Sequence, residues 1–236
     1  MFKKLMVKMV GRDLEMERRK RFQHILNFAE SVIQKGEVNF KSKHPIIDVI
    51  CLLGRKTQSE MISDLLQCNE TLTSAPPLER LLFSHTVPIT PDGRKLNDFK
   101  KKVNLERTIK LKRDLILPLP WQRSRLVQSL TKIGFDRDWG PWTQDDLNHK
   151  VEVWMPMGIV WVHGGSHSIA SGIIRGEGVI NTSNVDDISE IYDHVSCDGL
   201  NFYRTEDNSV IAPVQNLEFA AIFEIGRMMN DKKITF

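Results

Sequence analysis

Residues 153–178 read VWMPMGIVWVHGGSHSIASGIIRGEG, and this stretch decides the fold. The segment from Gly158 to His163 is β-branched and aromatic, which predicts a buried strand. The segment from Ser166 to Arg175 predicts a short helix that Ser166 caps and Gly176 ends. Six of the fourteen glycines of the chain fall in this stretch, so a tight turn is expected where strand becomes helix.

The turn through Gly164 and Gly165 has the character of an anion site. Free N–H groups converge at a helix N-terminus, the helix dipole favours negative charge there, and glycine lets a phosphate approach the backbone. We therefore predict a phosphate or nucleotide pocket in which the amides of residues 164–167 hold the phosphate.

Length and composition indicate a globular protein. A chain of 236 residues with 41% hydrophobic content can bury one sizeable core with a helical extension. The three cysteines (Cys51, Cys68, Cys197) lie far apart without CxxC pairing, which favours reduced thiols in a cytoplasmic protein over a disulfide scaffold or thiolate zinc site. No apolar stretch approaches eighteen residues, so no membrane partner is expected.

Charge is distributed unevenly along the chain. Residues 1–113 carry 23 Lys and Arg against 13 Asp and Glu, whereas residues 114–236 carry 10 against 17. Either the two halves face each other or the basic half faces a polyanion. Nine basic residues lie between Arg94 and Arg113, including Lys100 to Lys102. They are either a solvated linker or a non-specific contact for a DNA or RNA backbone.

The first part of the chain is helical in pattern. Apolar spacing of three and four predicts four helices, over Leu14–Ile33, Pro45–Gly54, Ser59–Leu66 and Leu78–Phe83. We therefore predict two domains, a helical N-terminal extension over residues 1–105 and an α/β domain over 106–236. The boundary is expected between Pro88 and Arg113.

The second part mixes strands and helices. The predicted elements are a strand over Leu115–Pro120, a helix over Ser124–Ile133, a loop over Phe135–Asp146, a half-exposed strand over Asn148–Trp154, a helix over Val185–His194, a hairpin around residues 206–208 and a closing helix over Leu217–Met229. The fold class is α/β (α+β), with a small mixed sheet, flanking helices and the helical N-terminal extension.

This order of elements, with Gly164-Gly165-Ser166-His167-Ser168 at its centre, resembles the ParB/sulfiredoxin-like superfamily. The turn reads GGCHR in sulfiredoxins, GERR in ParB proteins and DGQHR in a group linked to DNA phosphorothioation. The resemblance covers Leu115 to Gly176. The chain also resembles an uncharacterised bacterial family that shares the WGPW, NH and GGxHS block.

The resemblance implies that ATP or CTP binds at this turn together with Mg²⁺, and that the terminal phosphate is hydrolysed or transferred. Ser166 replaces the reactive cysteine of sulfiredoxins, which argues against sulfinic-acid repair. Ser168 replaces the arginine that would grip phosphate in a bidentate manner. Arg123 or Arg125, at the start of the preceding helix, are the candidates to supply that charge.

Several side chains near the turn are candidates for chemistry. His167 is predicted to act as a general acid or phosphate donor, unless it only bonds a loop carbonyl. Asp145 and His149 are the other candidates for a catalytic role. His149 and His163 are also possible metal ligands beside His167, and Asp145 or Asp146 are possible carboxylate ligands of a divalent ion. Asn148 and His149 precede a strand beside the turn, where polar groups collect.

Three tryptophans have two interpretations. Trp139, Trp142 and Trp154 either stack on a base or pack under a long loop, and core packing is favoured.

Two functions from different classes remain open at this stage. The first is a nucleotide-dependent enzyme or switch. The second is a non-catalytic DNA-binding or regulatory protein that uses its basic half, in a bacterial or phage-related setting such as phage defence. The sequence allows a homodimer in either case.

Overall fold

The computed structural model describes residues 2–36, 43–72 and 81–236, with only the backbone for residues 2–10 and 12. In these ranges the helices are α1 (Phe2–Lys35), α2 (Ile46–Ser63), α3 (Arg123–Lys132), α4 (Ser166–Arg175), α5 (Ile191–His194) and α6 (Leu217–Asp231). The strands are β1 (Lys101–Lys102), β2 (Arg107–Lys110), β3 (Ile116–Leu117), β4 (Val151–Met155), β5 (Ile159–Val162), β6 (Val179–Thr182), β7 (Val185–Asp187), β8 (Val195–Cys197), β9 (Asn201–Arg204) and β10 (Val210–Pro213). The predicted mixed α/β class is confirmed.

A mixed five-stranded sheet lies at the centre, in the order β1-β7-β4-β5-β3. Strands β4 and β5 pair antiparallel, while β3 with β5 and β7 with β4 pair parallel. A three-stranded antiparallel sheet (β10-β9-β8) and a two-stranded sheet (β2-β6) accompany it. Helix α4 leaves the end of β5 and packs on α3, which places the glycine turn at the edge of the central sheet.

The hydrophobic core runs through both parts of the chain. It includes Phe22 of α1, Ile50 of α2, Val153 of β4 and Phe223 of α6. Helices α1 and α2 both contact α6, and β1 joins the central sheet through β7. The division at residue 105 stays a prediction, but the described part of the N-terminal region packs directly on the sequence that follows it.

Three local predictions are wrong. The predicted helix end at Gly54 does not occur. Helix α2 continues to Ser63, and Gly54 lies where any side chain would overlap Leu115. The predicted helix over residues 185–194 is strand β7 followed by the single turn α5, since residues 185–187 pair with β4. The strand predicted over residues 148–154 to be half-exposed corresponds to β4, and all five of its residues are buried, so both of its faces are covered.

The remaining elements predicted over residues 115–236 match within a few residues, including the hairpin of β9 and β10 and the closing helix α6. Helix α1 begins twelve residues before the predicted Leu14, at Phe2. The first half of the predicted helix over residues 78–83 lies outside the described residues. In the described ranges, the longest apolar helices still fall short of what a bilayer crossing requires.

Candidate functional site

The turn between β5 and α4 has the backbone conformation that the glycine pair requires. Gly165 is the residue before α4 and adopts φ 73°, in the left-handed region. Gly164 lies so close to Lys150 that its N–H donates to the Lys150 carbonyl at 3.1 Å. Ser166 is the first helical residue and not the cap, which corrects the predicted role of its side chain. The helix therefore starts without any side-chain cap.

Four consecutive backbone amides are available at this helix start. The N–H groups of residues 165–168 have no acceptor in the described part of the chain, and the first intrahelical bond comes from Ile169 to the Gly165 carbonyl at 3.0 Å. The amide of Gly164 was predicted to join them, but the Lys150 carbonyl occupies it. Unpaired amides at the positive end of a helix attract an anion.

These amides border a cavity of about 830 Å³. Its lining comes from the segment from Leu119 to Trp121 with residues of α3, and from the loop from Trp139 to His149. The floor is the chain from Val162 to Ser168. Pockets of this volume accommodate ligands of nucleotide size.

His149 holds the loop against the helix start and is not free for chemistry. Its Nδ1 accepts the Asp145 N–H at 2.9 Å, and its Nε2 lies 2.6 Å from the hydroxyl of Ser168. That hydroxyl donates to the Gly165 carbonyl at 3.0 Å, which makes His149 the Nε2–H tautomer. Its ring stacks on Trp142 at 4.7 Å. Burial is the main cause that lowers the pKa of His149, so the ring is neutral.

Ser168 and Trp142 form a second contact between the loop and the start of α4. The indole Nε1 of Trp142 donates to the Ser168 carbonyl at 2.8 Å. Because the Ser168 hydroxyl is already engaged by His149 and Gly165, only its backbone amide faces a ligand. The three residues fix the shape of the cavity floor.

His167 keeps one donor for a ligand. Its Nε2 accepts the Gln122 N–H at 3.1 Å, so the proton of the neutral ring is on Nδ1. Nδ1 has no acceptor among the described residues. Burial, followed by the nearby Arg125, lowers the pKa of His167. The residue is therefore suited to donate a hydrogen bond but has no free lone pair with which to take a proton.

The structure separates the two candidate arginines. Arg125 lines the cavity, lies 5.5 Å from the ring of Trp121 and forms no ion pair with a described residue. Arg123 is not among the lining residues, and its guanidinium donates to the Cys68 carbonyl at 3.2 Å. Successive helical positions point about 100° apart, so residues two apart face different directions. Arg125 is the cation of this site.

The predicted carboxylates contribute unequally. Asp145 lines the cavity, although its Oδ1 accepts the amides of Leu147 and Asn148. Asp146 does not line it and accepts from Gln144 at 2.7 Å. No group of three or more His, Cys, Asp or Glu that could hold a metal occurs in the described ranges. A Mg²⁺ ion would thus depend on Asp145 and on oxygens of the ligand itself.

Asn148 remains available at the rim. It lines the cavity, and its side chain has no partner within the described ranges. Its own carbonyl lies against Gly164, where an added Cβ would come within 2.6 Å. The predicted placement of this residue beside the turn therefore agrees with the geometry.

The tryptophans divide between core and cavity mouth. Trp142 and Trp154 are buried, as core packing predicts. Trp139 is 60% exposed and lines the cavity, and so does Trp121 at 49%. Two exposed indoles at the mouth of a cavity offer surfaces on which a planar base can stack.

The basic segment is largely engaged within the molecule. Lys100, Lys101 and Lys102 pair with Glu152, Glu190 and Asp186 at 2.8, 2.6 and 2.9 Å. These contacts show the basic and acidic halves facing each other. Binding of DNA through residues 94–113 stays a prediction.

One group beside the cavity was missed at the sequence level. Glu152 lies in buried strand β4 and accepts from His163, which lines the cavity, at 2.8 Å. A charged residue inside an otherwise apolar strand indicates that its side chain has a polar partner. The antiparallel pairing of β4 with β5 places that partner, His163, beside Glu152.

Comparison with known proteins adds a family assignment. A family model described as "Family of unknown function (DUF6710)" matches residues 11–236. Searches of curated proteins and of solved structures found no match.

Proposed function

We propose that this chain, which belongs to the DUF6710 family of unknown function, binds a nucleoside triphosphate with its phosphates on the turn of residues 165–168. The observation that carries the proposal is the set of four backbone amides without acceptors at the start of α4, at the floor of a cavity. An uncapped helix start of this kind is stabilised when an anion supplies the missing acceptors.

Charge and shape support a nucleotide over a bare anion. Arg125 supplies a positive charge without a competing carboxylate, and His167 supplies a neutral donor. A guanidinium forms short, charge-assisted hydrogen bonds with phosphate oxygens. Trp121 and Trp139 at the mouth give a base two aromatic faces. ATP and CTP with Mg²⁺ are the first ligands to test, and Asp145 is the lining carboxylate that would hold the ion.

Binding is tested by thermal shift and calorimetry on the full chain. ATP, CTP and GTP are compared with inorganic triphosphate and with adenosine, in the presence and absence of Mg²⁺. A nucleotide at 100 times its dissociation constant should stabilise the fold by about 2.7 kcal/mol. Triphosphate should bind more weakly than the nucleotide, because it lacks the base that the two indoles contact. If none of these ligands raises the melting temperature, the proposal fails.

A matched pair of variants locates the site. Arg125→Gln should weaken nucleotide binding at least about tenfold, since a hydrogen bond to a charged group contributes about 1.5–3 kcal/mol. Arg123→Gln removes the same charge two residues earlier, from a side chain that bonds Cys68 outside the cavity. It should leave the affinity unchanged. Equal losses in the two variants would mean that only general charge, and not this cavity, attracts the nucleotide.

A further inference from the structure

His163 and Glu152 form a pair that joins the cavity to the central sheet. His163 follows β5 directly, precedes Gly164 and lines the cavity. Its Nε2 lies 2.8 Å from Oε2 of Glu152 on β4. The imidazole is 55% exposed, whereas the carboxylate is 11% exposed. One end of the pair therefore lies at the cavity, and the other end is buried in the fold.

The carboxylate of Glu152 is held in its ionised form. Its Oε1 accepts Nζ of Lys100 at 2.8 Å and the indole of Trp154 at 2.7 Å. Burial opposes ionisation, but hydrogen bonds from His163, Lys100 and Trp154 outweigh it and hold the pKa of Glu152 well below its usual range. Glu152 is thus a permanent acceptor for the imidazole N–H.

Asp186 is a second buried carboxyl group beside Glu152. Burial, followed by its interaction with Glu152, raises its pKa. Its Oδ1 is buried and forms no hydrogen bond with a described residue, whereas its Oδ2 lies 2.9 Å from Nζ of Lys102.

Glu152 does not depend on the imidazole alone. Lys100 and Trp154 also donate to its carboxylate, so two donors remain when His163 is replaced. The imidazole is half-exposed, and solvent screening reduces what this pair contributes to stability.

Three histidines line the cavity, and they differ in their free lone pairs. The acceptor nitrogens of His149 and His167 are occupied by the backbone N–H groups of Asp145 and Gln122. His163 gives its Nε2–H to Glu152, which leaves the lone pair of Nδ1 without a donor among the described residues. A general base needs such a lone pair. Of the three, only His163 presents it.

We propose that His163 is the catalytic base of a phosphohydrolase site and that Glu152 is the residue that positions it. This inference rests on the proposed nucleotide binding and adds the reaction. The substrate is the terminal phosphoanhydride of the bound nucleoside triphosphate, and the co-substrate is water.

The reaction balances with one water consumed. Nδ1 of His163 takes a proton from the water as its oxygen forms a bond to the terminal phosphorus. The bond from that phosphorus to the bridging oxygen breaks, and its electron pair stays on the nucleoside diphosphate. His163 then releases the proton to solvent. The amides of residues 165–168 and Arg125 stabilise the charge on the phosphoryl oxygens throughout.

The test measures binding and turnover on the same samples of full chain. Calorimetry gives the affinity for ATP and CTP, and phosphate release with Mg²⁺ gives kcat and KM. His163→Gln should lower kcat roughly 100-fold, as expected for loss of a general base, with the dissociation constant and melting temperature nearly unchanged. His24→Gln, an exposed histidine on α1 away from the cavity, is the matched control and should keep full activity.

Two additional variants separate a chemical role from a structural one. Added imidazole should restore part of the rate of His163→Ala, because it can take the place of the missing base, whereas a folding defect would not respond. Glu152→Gln should lower kcat with KM unchanged, and Glu152→Asp should recover part of that loss. If Glu152→Gln fails to fold, the His163 variants still decide the matter.

The outcomes distinguish the two proposals. Nucleotide binding by the wild-type chain without phosphate release above that of the buffer overturns the hydrolytic role and leaves the binding proposal standing. Release by His163→Gln at the wild-type rate also overturns it. No binding of any nucleotide overturns both. Binding, release and selective loss of kcat in His163→Gln support both.

Discussion

Replacement of Gly165 by alanine tests whether the cavity floor is rigid. Gly165 has φ 73°, where an alanine costs about 1–2 kcal/mol. An added Cβ would also overlap Cδ2 of His149 and come within 3.2 Å of the Asn148 carbonyl. The His149 ring cannot turn away without losing its bonds to Asp145 and Ser168. Overpacking of this kind adds about 1–3 kcal/mol, so the total destabilisation is expected to be about 2–5 kcal/mol.

Gly140 provides the control for this experiment. It has φ 76°, and a Cβ there would meet no atom within 4 Å. Gly140→Ala should therefore show only the backbone term of about 1–2 kcal/mol. Urea unfolding of both variants measures the difference, which is expected to be about 1–3 kcal/mol. Equal destabilisation of the two variants would refute the claim that His149 is locked against the turn.

The same pair of variants separates stability from binding. Gly165→Ala displaces the backbone amide of residue 165, which is the first of the four amides without acceptors, so the nucleotide affinity should fall. Gly140→Ala leaves that row intact and should bind as the wild-type chain does. Calorimetry of each folded variant gives the comparison. Full affinity in Gly165→Ala would show that the phosphates are held elsewhere.

Two further predictions concern the histidines. His167→Gln places an acceptor where Nε2 was and removes the Nδ1 donor, so this variant should bind nucleotide more weakly at unchanged stability. His167→Asn should leave the Gln122 amide unpaired and should therefore unfold at a lower urea concentration. Full nucleotide affinity in His167→Gln would show that Nδ1 does not face the ligand. The pKa values of His149 and His167 lie below the ordinary value of 6.5, so the unfolded chain takes up protons first as the pH falls. Stability should therefore be complete above about pH 6.5 and decrease below it, with a smaller decrease in His167→Gln; urea unfolding at pH 7.5 and 5.5 that gave equal stabilities would contradict this.

Much of the turn could be predicted because its signals are local. A β-branched run, a glycine pair and an apolar helix pattern determine strand β5, the turn and helix α4 through short-range sterics and hydrogen bonding. The errors arose where a tertiary contact outweighed a local signal. The local pattern predicts a helix end at Gly54, but α2 continues through this position, where Leu115 packs against the glycine. Residues 185–187 form a strand because β4 offers an edge with which to pair.

The roles of the site residues were harder to predict than their location. The sequence places three histidines near the turn but does not show which nitrogen of each ring is occupied. The Gln122 amide reaches His167 from another element, and the Asp145 amide reaches His149 across the loop. Likewise, the direction in which α3 faces decides that Arg125, and not Arg123, meets the cavity.

The sequence by itself determined the mixed α/β class, the position of the glycine turn and the presence of a helix that starts directly after it, because each depends on residues that are neighbours along the chain. Only the tertiary structure decided which amides stay unpaired, which arginine meets the cavity, and that Glu152 lies behind His163. These features depend on atoms from distant segments, whose approach is set by the packing of the whole core.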